Sequence, residues 1–188
     1  MKILFIIPSI TNYHTFLNEL TQALVDKGHK VSLLAGEKSI VKGPSPYSNP
    51  ENCEWVPINF PRSFQPQEHV HASLLIDKQI KRIKPDIIHI HFSAAMFTVA
   101  LAYKKRWQIT IATIHGLAWP SRNGTTRYLL KNAEIRSARK MDEVLVLNNE
   151  DLTSLRENGL KNVKLLPGEG MGCSITEFNP DSIDINKK

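Results

Sequence analysis

The chain has 188 residues, of which 41% are hydrophobic and 22% are charged. This composition is typical of a soluble globular protein and excludes a disordered, collagen-like or coiled-coil chain. No apolar run approaches the ~18 residues that a transmembrane helix needs. Lysine and arginine (24) outnumber aspartate and glutamate (18), which gives a net charge of +6. That charge suits a phosphate-bearing partner or an anionic membrane surface, and equally a mildly basic soluble domain.

Two further features concern the compartment. Cys53 and Cys173 form neither a CxxC pair nor a disulfide framework, which fits a reducing environment. The apolar N-terminus, residues 1–7, is too short for a signal peptide, is followed by Pro8 and has no small-residue cleavage site after it. We therefore predict a buried first strand and a cytoplasmic location.

Apolar runs alternate with segments of helical spacing along the whole chain. We predict strands over residues 2–7, 30–35, 54–60, 86–92, 109–115, 143–147 and 163–166, and helices over residues 14–27, 70–84, 94–106, 125–140 and 149–158. Residues 36–53, rich in Gly, Pro, Ser and Asn, predict a long loop. The alternation indicates right-handed βαβ units. The expected fold is therefore α/β, with a Rossmann-like, doubly wound and mostly parallel sheet over residues 1–166.

A parallel α/β sheet binds ligands beyond the carboxyl ends of its strands. The segments that follow the predicted strands there are residues 8–14, 36–38, 91–93, 115–127 and 148–149. These segments contain nearly every unusual residue of the chain. We take the candidate functional residues from them.

The first of these segments lacks the glycines of a dinucleotide or phosphate-binding loop, GxGxxG or GxxxxGK[ST]. Neither a Rossmann dehydrogenase nor a P-loop nucleotidase is therefore expected. The helix start at residues 11–15 still offers backbone N–H groups and hydroxyls to an anion or to sugar oxygens. Ser9, Thr11 and His14 are candidates for that contact. An ordinary helix cap by Thr11 or Asn12 explains the segment equally well.

Histidines end two neighbouring strands. His89 and His91 are two residues apart and point to the same face, but no clear set of further metal ligands lies nearby. We predict that His89 is buried and hydrogen-bonded and that His91 lines the crevice. His115 is followed by Gly116, which permits a sharp turn and close approach of a substrate to the backbone. A histidine here can donate to a sugar hydroxyl or a phosphate and titrates near neutral pH, or it can be a purely structural strand-end residue.

The chain after His115 carries an apolar patch with Trp119 and then a basic loop with Arg122 and Arg127. That loop can order around a pyrophosphate or simply be solvated. Basic clusters at residues 78–84, 104–106 and 131–140 lie on predicted helices without interleaved aromatics, so a nucleic-acid partner is not expected and a membrane surface is the better fit. No Ser-His-Asp order, paired-carboxylate site or acid/base pair stands out.

Four ordered motifs point to a known family. They are MKILFI at residues 1–6, ALVDKGHKV at 23–31, KPDIIHIH at 84–91 and TIHG at 113–116. With these motifs the sequence resembles, over nearly its whole length, the N-terminal half of a family 4 glycosyltransferase of the GT-B fold. Within that family, HGLAW at residues 115–119 is similar to the His-Gly-Leu-Pro-Phe segment of capsule and O-antigen enzymes.

The resemblance implies the acceptor-binding domain of a retaining glycosyltransferase, a hexosyltransferase of surface polysaccharide biosynthesis. Its donor would be a nucleotide-sugar and its acceptor a glycan linked to polyprenyl diphosphate, reached by peripheral contact with the membrane. No cofactor or metal is implied, because the leaving diphosphate can itself act as the base. The residues carried over are His115 as the catalytic residue, and Ser9, Thr11, His14, His91, Gly116, Trp119, Arg122 and Arg127 as substrate-binding residues.

Members of the family are about twice as long, and their second domain holds most of the nucleotide-sugar site. We therefore expect residues 167–188 to begin the interdomain linker, the donor-binding domain to be absent and the chain alone to be inactive. Met171 and Ser174 stand where the family usually has Asn and Asp. One alternative is a non-catalytic α/β module that binds a partner protein or an anionic surface. Another is an epimerase-like GT-B enzyme, which also requires the missing half.

Overall fold

The computed structural model describes residues 1–37, 50–61, 65–102 and 108–168. The strands are β1 (Lys2–Ser9), β2 (Lys30–Gly36), β3 (Glu54–Pro57), β4 (Ile87–His91), β5 (Ile109–Ile114), β6 (Glu143–Val146) and β7 (Val163–Leu165). The helices are α1 (Ile10–Phe16), α2 (Asn18–Asp26), α3 (Pro66–Ile83), α4 (Ser93–Ala102), α5 (Gly124–Ala138) and α6 (Asn149–Glu157). The predicted alternation of strands and helices is confirmed.

The seven strands form one sheet in the order β3-β2-β1-β4-β5-β6-β7, and every neighbouring pair is parallel. β1 lies at the centre, with Ile3 opposite Val31 of β2 on one side and opposite Ile87 of β4 on the other. The winding direction reverses between β1 and β4, so the helices that follow these two strands leave on opposite faces. The predicted Rossmann-like, doubly wound sheet is confirmed.

Two apolar clusters show how each face of the sheet is covered. On one face, alternate strand residues such as Leu4 and Ile90 pack against α3, α4, α5 and α6. On the other, Phe5 and Leu33 pack against α1 and α2, with Tyr13 completely buried. Alternate residues of β1 therefore enter different clusters, as the period-2 geometry of a strand requires.

The first predicted helix, residues 14–27, is in fact two helices and starts earlier. α1 begins at Ile10, directly after β1, and the chain bends at Leu17 before α2 begins at Asn18. Leu17 has φ −124° and ψ −12°, and its side chain is completely buried. Leu17 is thus buried although its backbone is not helical. The apolar spacing of the sequence therefore continues through the break between α1 and α2 and does not reveal it.

Two other boundaries differ from the prediction. α3 starts at Pro66 rather than at residue 70, because proline suits the first turn of a helix and the polar residues after it are exposed and leave no apolar periodicity. β3 ends at Pro57 rather than at residue 60. The predictions for residues 38–49, 103–107 and 169–188 lie outside the described residues.

Candidate functional site

The carboxyl ends of β1, β4 and β5 bring the predicted site residues to one edge of the sheet. Ser9 ends β1, Thr11 lies in the first turn of α1, His91 ends β4, and His115 follows β5. Since β1 and β4 are neighbours, residues about 80 positions apart in the chain lie beside one another at the reversal of the winding direction. This is the place where open α/β sheets bind their ligands.

Ser9, rather than Thr11 or Asn12, caps the first helix. Its hydroxyl accepts a hydrogen bond from the backbone N–H of Asn12 at 3.2 Å, and the residue is buried. The predicted cap was therefore placed two to three residues too late. Because the Ser9 hydroxyl already serves the helix, it is less available to a ligand than the sequence suggested. Thr11 is half-buried, and its hydroxyl has no hydrogen-bond partner among the described residues.

His14 lies in the second turn of α1. Its ring is half-buried and meets the Tyr13 ring edge-on, with the centroids 5.3 Å apart. Tyr13 in turn donates a hydrogen bond to Asn52 at 2.8 Å. The ring contact therefore joins His14 to its neighbour on α1.

Three histidines form a continuous cluster across β4 and β5. The ring centroids of His89 and His91 are 4.2 Å apart, and His91 Nδ1 lies 3.2 Å from His115 Nε2. His89 Nε2 lies 2.8 Å from the Thr113 hydroxyl on β5. His91 is only 1% exposed, so it lies behind His115 and does not line the crevice as predicted. His89 is hydrogen-bonded, as expected, but it is half-buried rather than buried.

The pKa values of these histidines are all lowered. Burial, assisted by the neighbouring His115, lowers the pKa of His89 from 6.5 to about 4. Burial and the two other imidazoles lower the pKa of His91 well below its usual range. Burial alone lowers the pKa of His115 to about 4. The expectation that His115 titrates near neutral pH is therefore wrong, because a buried imidazole loses the hydration that stabilises its charged form.

Two phenylalanines fix the orientation of the His115 ring. Phe92 stacks on it with the centroids 3.9 Å apart and the planes 12° apart. Phe16 of α1 meets it edge-on at 5.0 Å. Phe92 itself adopts φ 71°, a left-handed conformation that is costly for a residue with a bulky side chain. The sequence analysis did not single out Phe92, because nothing in its local pattern signals a positive φ.

Gly116 adopts φ 121°, and no atom lies within 4 Å of where its Cβ would be. Glycine is needed here for the backbone conformation rather than for lack of space. The exposed turn that it permits carries the chain away from His115 towards Trp119. The sequence analysis expected this turn at Gly116.

The loop after Gly116 is anchored to α5 by a buried carboxylate. Both carboxylate oxygens of Glu134 accept the backbone N–H of Ala118, at 3.1 and 3.3 Å, and the side chain is 4% exposed. Burial raises the pKa of the Glu134 carboxyl. Glu134 was missed by the sequence analysis, since one acidic residue in a basic helix carries no signal of its own.

Trp119 is buried rather than open to a ligand. Its ring is covered by two cations of α5, with the Arg127 guanidinium carbon 5.4 Å and Lys131 Nζ 5.1 Å from the ring centroid. Such cation–π contacts hold the charges close to this end of the sheet. Arg122 is exposed, and its backbone N–H donates to the Trp119 carbonyl at 3.2 Å.

A cavity of about 930 Å³ lies over the other half of this edge. Its walls are the ends of β1, β2 and β3 together with the first turns of α3 and α4. The polar side chains in it are Ser9, Asn59, Gln67, Glu68 and His71, beside the apolar Phe60, Pro61, Ile58 and Leu75. Ser9 is the one predicted site residue among them. The α3 residues were missed because their helix was predicted to begin after Gln67 and Glu68.

Gly36 closes the base of this cavity. A Cβ at this position would lie 2.7 Å from the Pro8 carbonyl oxygen and 3.2 Å from that of Ile58. The ends of the first three strands therefore approach more closely than any other residue would allow.

The described residues contain neither a metal-binding cluster nor a membrane-spanning helix. No group of three or more His, Cys, Asp or Glu side chains there could hold a metal ion. None of the described helices is long and apolar enough to cross a membrane.

Comparisons with known proteins agree with the fold. The model of Glycosyltransferase Family 4 matches residues 7–167. A glycosyltransferase from Rickettsia africae is 20% identical with a TM-score of 0.61, covering 99% of this chain and 47% of that one. A UDP-GlcNAc 2-epimerase from Methanocaldococcus jannaschii is 15% identical with a TM-score of 0.62, covering 88% and 46%. A sucrose-phosphate synthase from Thermosynechococcus elongatus is 12% identical with a TM-score of 0.61, covering 89% and 48%.

The chain therefore spans about half the length of these three solved structures. At such low identities they support the fold alone. No curated protein matches the chain significantly.

Proposed function

Because the chain belongs to Glycosyltransferase Family 4, we propose that it is the acceptor-binding domain of a retaining glycosyltransferase. The donor is a nucleotide-sugar held mainly by a second domain, and the acceptor is a glycan on polyprenyl diphosphate. The product belongs to surface polysaccharide assembly on the cytoplasmic side of the membrane. The single observation that carries this proposal is the large cavity at the carboxyl edge of β1, β2 and β3.

The chemistry of the cavity fits an uncharged part of a glycan. Its volume, about 930 Å³, lies within the range of small-molecule sites. Phe60 and Leu75 offer apolar surface to the C–H faces of a sugar, and Asn59 and Gln67 offer amides to its hydroxyls. Among the described residues, the lining includes neither lysine nor arginine and does include Glu68, which favours an uncharged sugar there over a diphosphate.

The diphosphate and its lipid fit the surface around α5 better. Arg127 and Lys131 hold their charges over Trp119, and Arg122 is exposed beside them. The two residues after Arg127 on α5 are apolar and exposed, Tyr128 at 68% and Leu129 at 55%. Basic and apolar groups on one helix suit a phosphate headgroup and the hydrocarbon chain next to it.

His115 acts in this proposal as a neutral hydrogen-bond donor. Its lowered pKa keeps it uncharged at neutral pH, so it orients the reacting sugar or phosphate oxygens without adding a positive charge. No described carboxylate lies beside it as a general base. The leaving diphosphate, once its bond to the sugar breaks, can take the proton of the acceptor hydroxyl.

Calorimetric titration of the chain tests the proposal. A short-chain polyprenyl-diphosphate sugar should bind, and a UDP-sugar should bind little or not at all. Phe60→Ala and Gln67→Ala should each lower the affinity for the lipid-linked sugar by about tenfold, which is the effect of losing one well-placed contact. Gln22→Ala on the distant helix α2 is the matched control and should leave binding unchanged.

Three outcomes contradict the proposal. Sugar transfer by the chain alone would show that the active site is complete without a second domain. Binding of the UDP-sugar alone would reverse the assignment of donor and acceptor. Binding of neither ligand would favour a non-catalytic interaction module.

A further inference from the structure

We propose that His91 is a positioning residue that fixes the tautomer of His115, so that His115 presents a protonated Nδ1 to an oxygen atom of its ligand. The ligand's identity rests on the proposed function, whereas the tautomer is a property of the chain itself.

The contact between the rings restricts where the protons lie. His91 Nδ1 and His115 Nε2 are 3.2 Å apart, within hydrogen-bond distance. A neutral imidazole has one N–H donor and one bare acceptor nitrogen. One of the two facing nitrogens must therefore carry the proton and the other must be bare.

The far side of His91 decides between the two arrangements. His91 Nε2 is buried and has no hydrogen-bond partner among the described residues. If His115 donated to His91, the one N–H proton of the neutral His91 would sit on this isolated nitrogen as a buried, unpaired N–H. Buried N–H groups are rarely left unpaired in native proteins, and unpaired acceptors are better tolerated. His91 therefore donates from Nδ1, and its bare Nε2 faces the interior.

The consequence for His115 follows directly. Its Nε2 accepts the proton of His91, so its own proton is on Nδ1. This atom makes no hydrogen bond to the described residues and, unlike His91 Nε2, is not fully buried. The donor of His115 is thus open to an oxygen of a sugar hydroxyl or of a phosphate.

Ring packing keeps this arrangement from reversing by rotation. Phe92 lies flat on one face of the His115 ring, 3.9 Å away, and Phe16 meets it edge-on at 5.0 Å. A flip of the imidazole would exchange its nitrogens for carbons and break the contact with His91. The strained backbone of Phe92, φ 71°, persists because it delivers this stacked ring.

The direct test is nitrogen-15 NMR of the histidine side chains in the full chain at neutral pH, without ligand. Protonated and bare ring nitrogens have well-separated chemical shifts, and their couplings to the ring protons assign Nδ1 and Nε2. The expected result is that His115 carries its proton on Nδ1. A proton on Nε2 of His115 would overturn the proposal whatever the variants do.

Two variants of His91 separate positioning from packing. In His91→Asn the side-chain amide can still donate near the position of Nδ1, so His115 should keep its proton on Nδ1. In His91→Phe the space is filled but the donor is lost, and His115 should shift towards the Nε2-protonated form. A His115 spectrum unchanged in His91→Phe would show that His91 does not set the tautomer.

A matched control exists on the other face of the sheet. His69 is also buried, and its Nδ1 lies 2.9 Å from the Thr98 hydroxyl. His69→Asn should leave the His115 spectrum as in the wild type. Circular dichroism of each variant establishes that it is folded. If His91→Phe does not fold, the wild-type and His91→Asn spectra still decide the proposal.

Ligand binding distinguishes this inference from the proposed function. With the short-chain polyprenyl-diphosphate sugar as the probe, His91→Phe should lose about tenfold in affinity and His91→Asn should lose much less. If the probe does not bind the wild type but the NMR result is as expected, the proposed function fails and the tautomer assignment stands. If the probe binds equally to all three proteins, His115 does not donate to it and that part of the inference is wrong.

Discussion

The ring of Phe92 lies parallel to that of His115, with the centroids 3.9 Å and the planes 12° apart. Phe92 comes directly after β4 and His115 directly after β5, so the stack joins the ends of two neighbouring strands. The backbone N–H of Phe92 also donates to the Thr113 carbonyl at 3.0 Å. Phe92 thus shields His115 from water at the cost of a left-handed backbone.

Replacing Phe92 should change the titration of His115. Phe92→Leu removes the stacked ring and admits water to the imidazole, so the pKa of His115 should rise from about 4 towards 6.5. The proton NMR shifts of the histidine ring, followed against pH, measure this directly. Phe97→Leu is a control, because Phe97 contacts His69 edge-on and not His115. Equal His115 titrations in Phe92→Leu and the wild type would show that the stack is not what lowers the pKa.

The buried histidines should make the fold sensitive to mild acid. Their folded pKa values lie below the unfolded value near 6.5, so the unfolded state binds more protons between about pH 6.5 and 4. The contribution of these histidines to stability should therefore be constant above this window and fall as the pH decreases through it. Each pKa unit of difference corresponds to about 1.4 kcal/mol.

Urea unfolding at a series of pH values measures this effect. His115→Asn removes one of the groups and should flatten the decline between pH 6.5 and 4. An identical pH dependence in the variant would exclude His115 as a contributor.

Glu134 should have the opposite pH dependence. Its pKa is raised by burial, so its contribution to stability is fully present below the unfolded value and decreases as the pH rises through the folded value. Glu134→Gln keeps an acceptor for the Ala118 N–H without the buried charge. The variant should therefore gain stability relative to the wild type as the pH rises from about 4.5.

Glu134→Ala separates the charge from the hydrogen bond. It leaves the Ala118 N–H without its carboxylate partner, which should cost about 1–3 kcal/mol across the pH range. If Glu134→Gln were as unstable as Glu134→Ala, the charge rather than the acceptor would be what holds the loop.

Gly36 offers a test of the cavity. Gly36→Ala places a methyl group 2.7 Å from the Pro8 carbonyl oxygen, so the strand ends must separate, at a cost of about 1–3 kcal/mol. Affinity for the lipid-linked sugar should fall with it, because Pro8 and Ile58 line the cavity. Gly28→Ala, at φ 81° in open space near the opposite end of β2, should lose comparable stability but keep its affinity. If Gly36→Ala and Gly28→Ala bound the lipid-linked sugar with equal affinity, the ligand would not lie in this cavity.

The apolar face of α5 should bind anionic membranes. Changing Tyr128 and Leu129 together to serine should lower binding to phosphatidylglycerol vesicles by about tenfold or more, since two exposed apolar side chains are removed. Binding to phosphatidylcholine vesicles should be weak, and added salt should reduce binding to the anionic ones. Sedimentation of the protein with the vesicles measures all three.

A double serine variant of Val70 and Leu74 on α3 is the control, as these residues are exposed to a similar degree. Two of the three lysine and arginine side chains of that helix are already paired: Lys81 lies 2.6 Å from Asp77, and Arg82 lies 2.7 Å from Glu54. If this control lost vesicle binding and the α5 variant kept it, α3 rather than α5 would be the helix that contacts the membrane.

The sheet could be predicted from the sequence because its strands are long apolar runs. An apolar composition is by itself enough to indicate that such a run is buried. Residues 2–7 and 30–35 are examples, and both are strands in the structure. The bend at Leu17 and the early start of α3 escaped because neither changes the apolar pattern: Leu17 is itself buried, and the turn after Pro66 is polar. Helix periodicity reports which face is apolar, and it continues through a bend when the residue at the bend is itself buried.

The position of the candidate site could be predicted from the sequence more easily than the burial and role of each residue in it. The rule that ligands bind beyond the strand ends identified His91, His115 and Trp119. It could not show that Trp119 and His91 are buried, because exposure at a strand end is set by neighbouring strands and helices. The cavity residues on α3 come from a helix start, and Phe92 from a backbone conformation, neither of which has a local sequence signal.

The central position of β1 has a consequence for synthesis on the ribosome. β1 emerges first and can pair with β2 after about 30 residues, but its other edge waits for β4, whose Ile87 lies opposite Ile3. During that interval the most apolar strand of the sheet has one row of backbone groups without partners. Such an edge can pair with another nascent chain. The order of the strands therefore makes the interval before Ile87 is synthesised the stage at which this fold is most prone to aggregate.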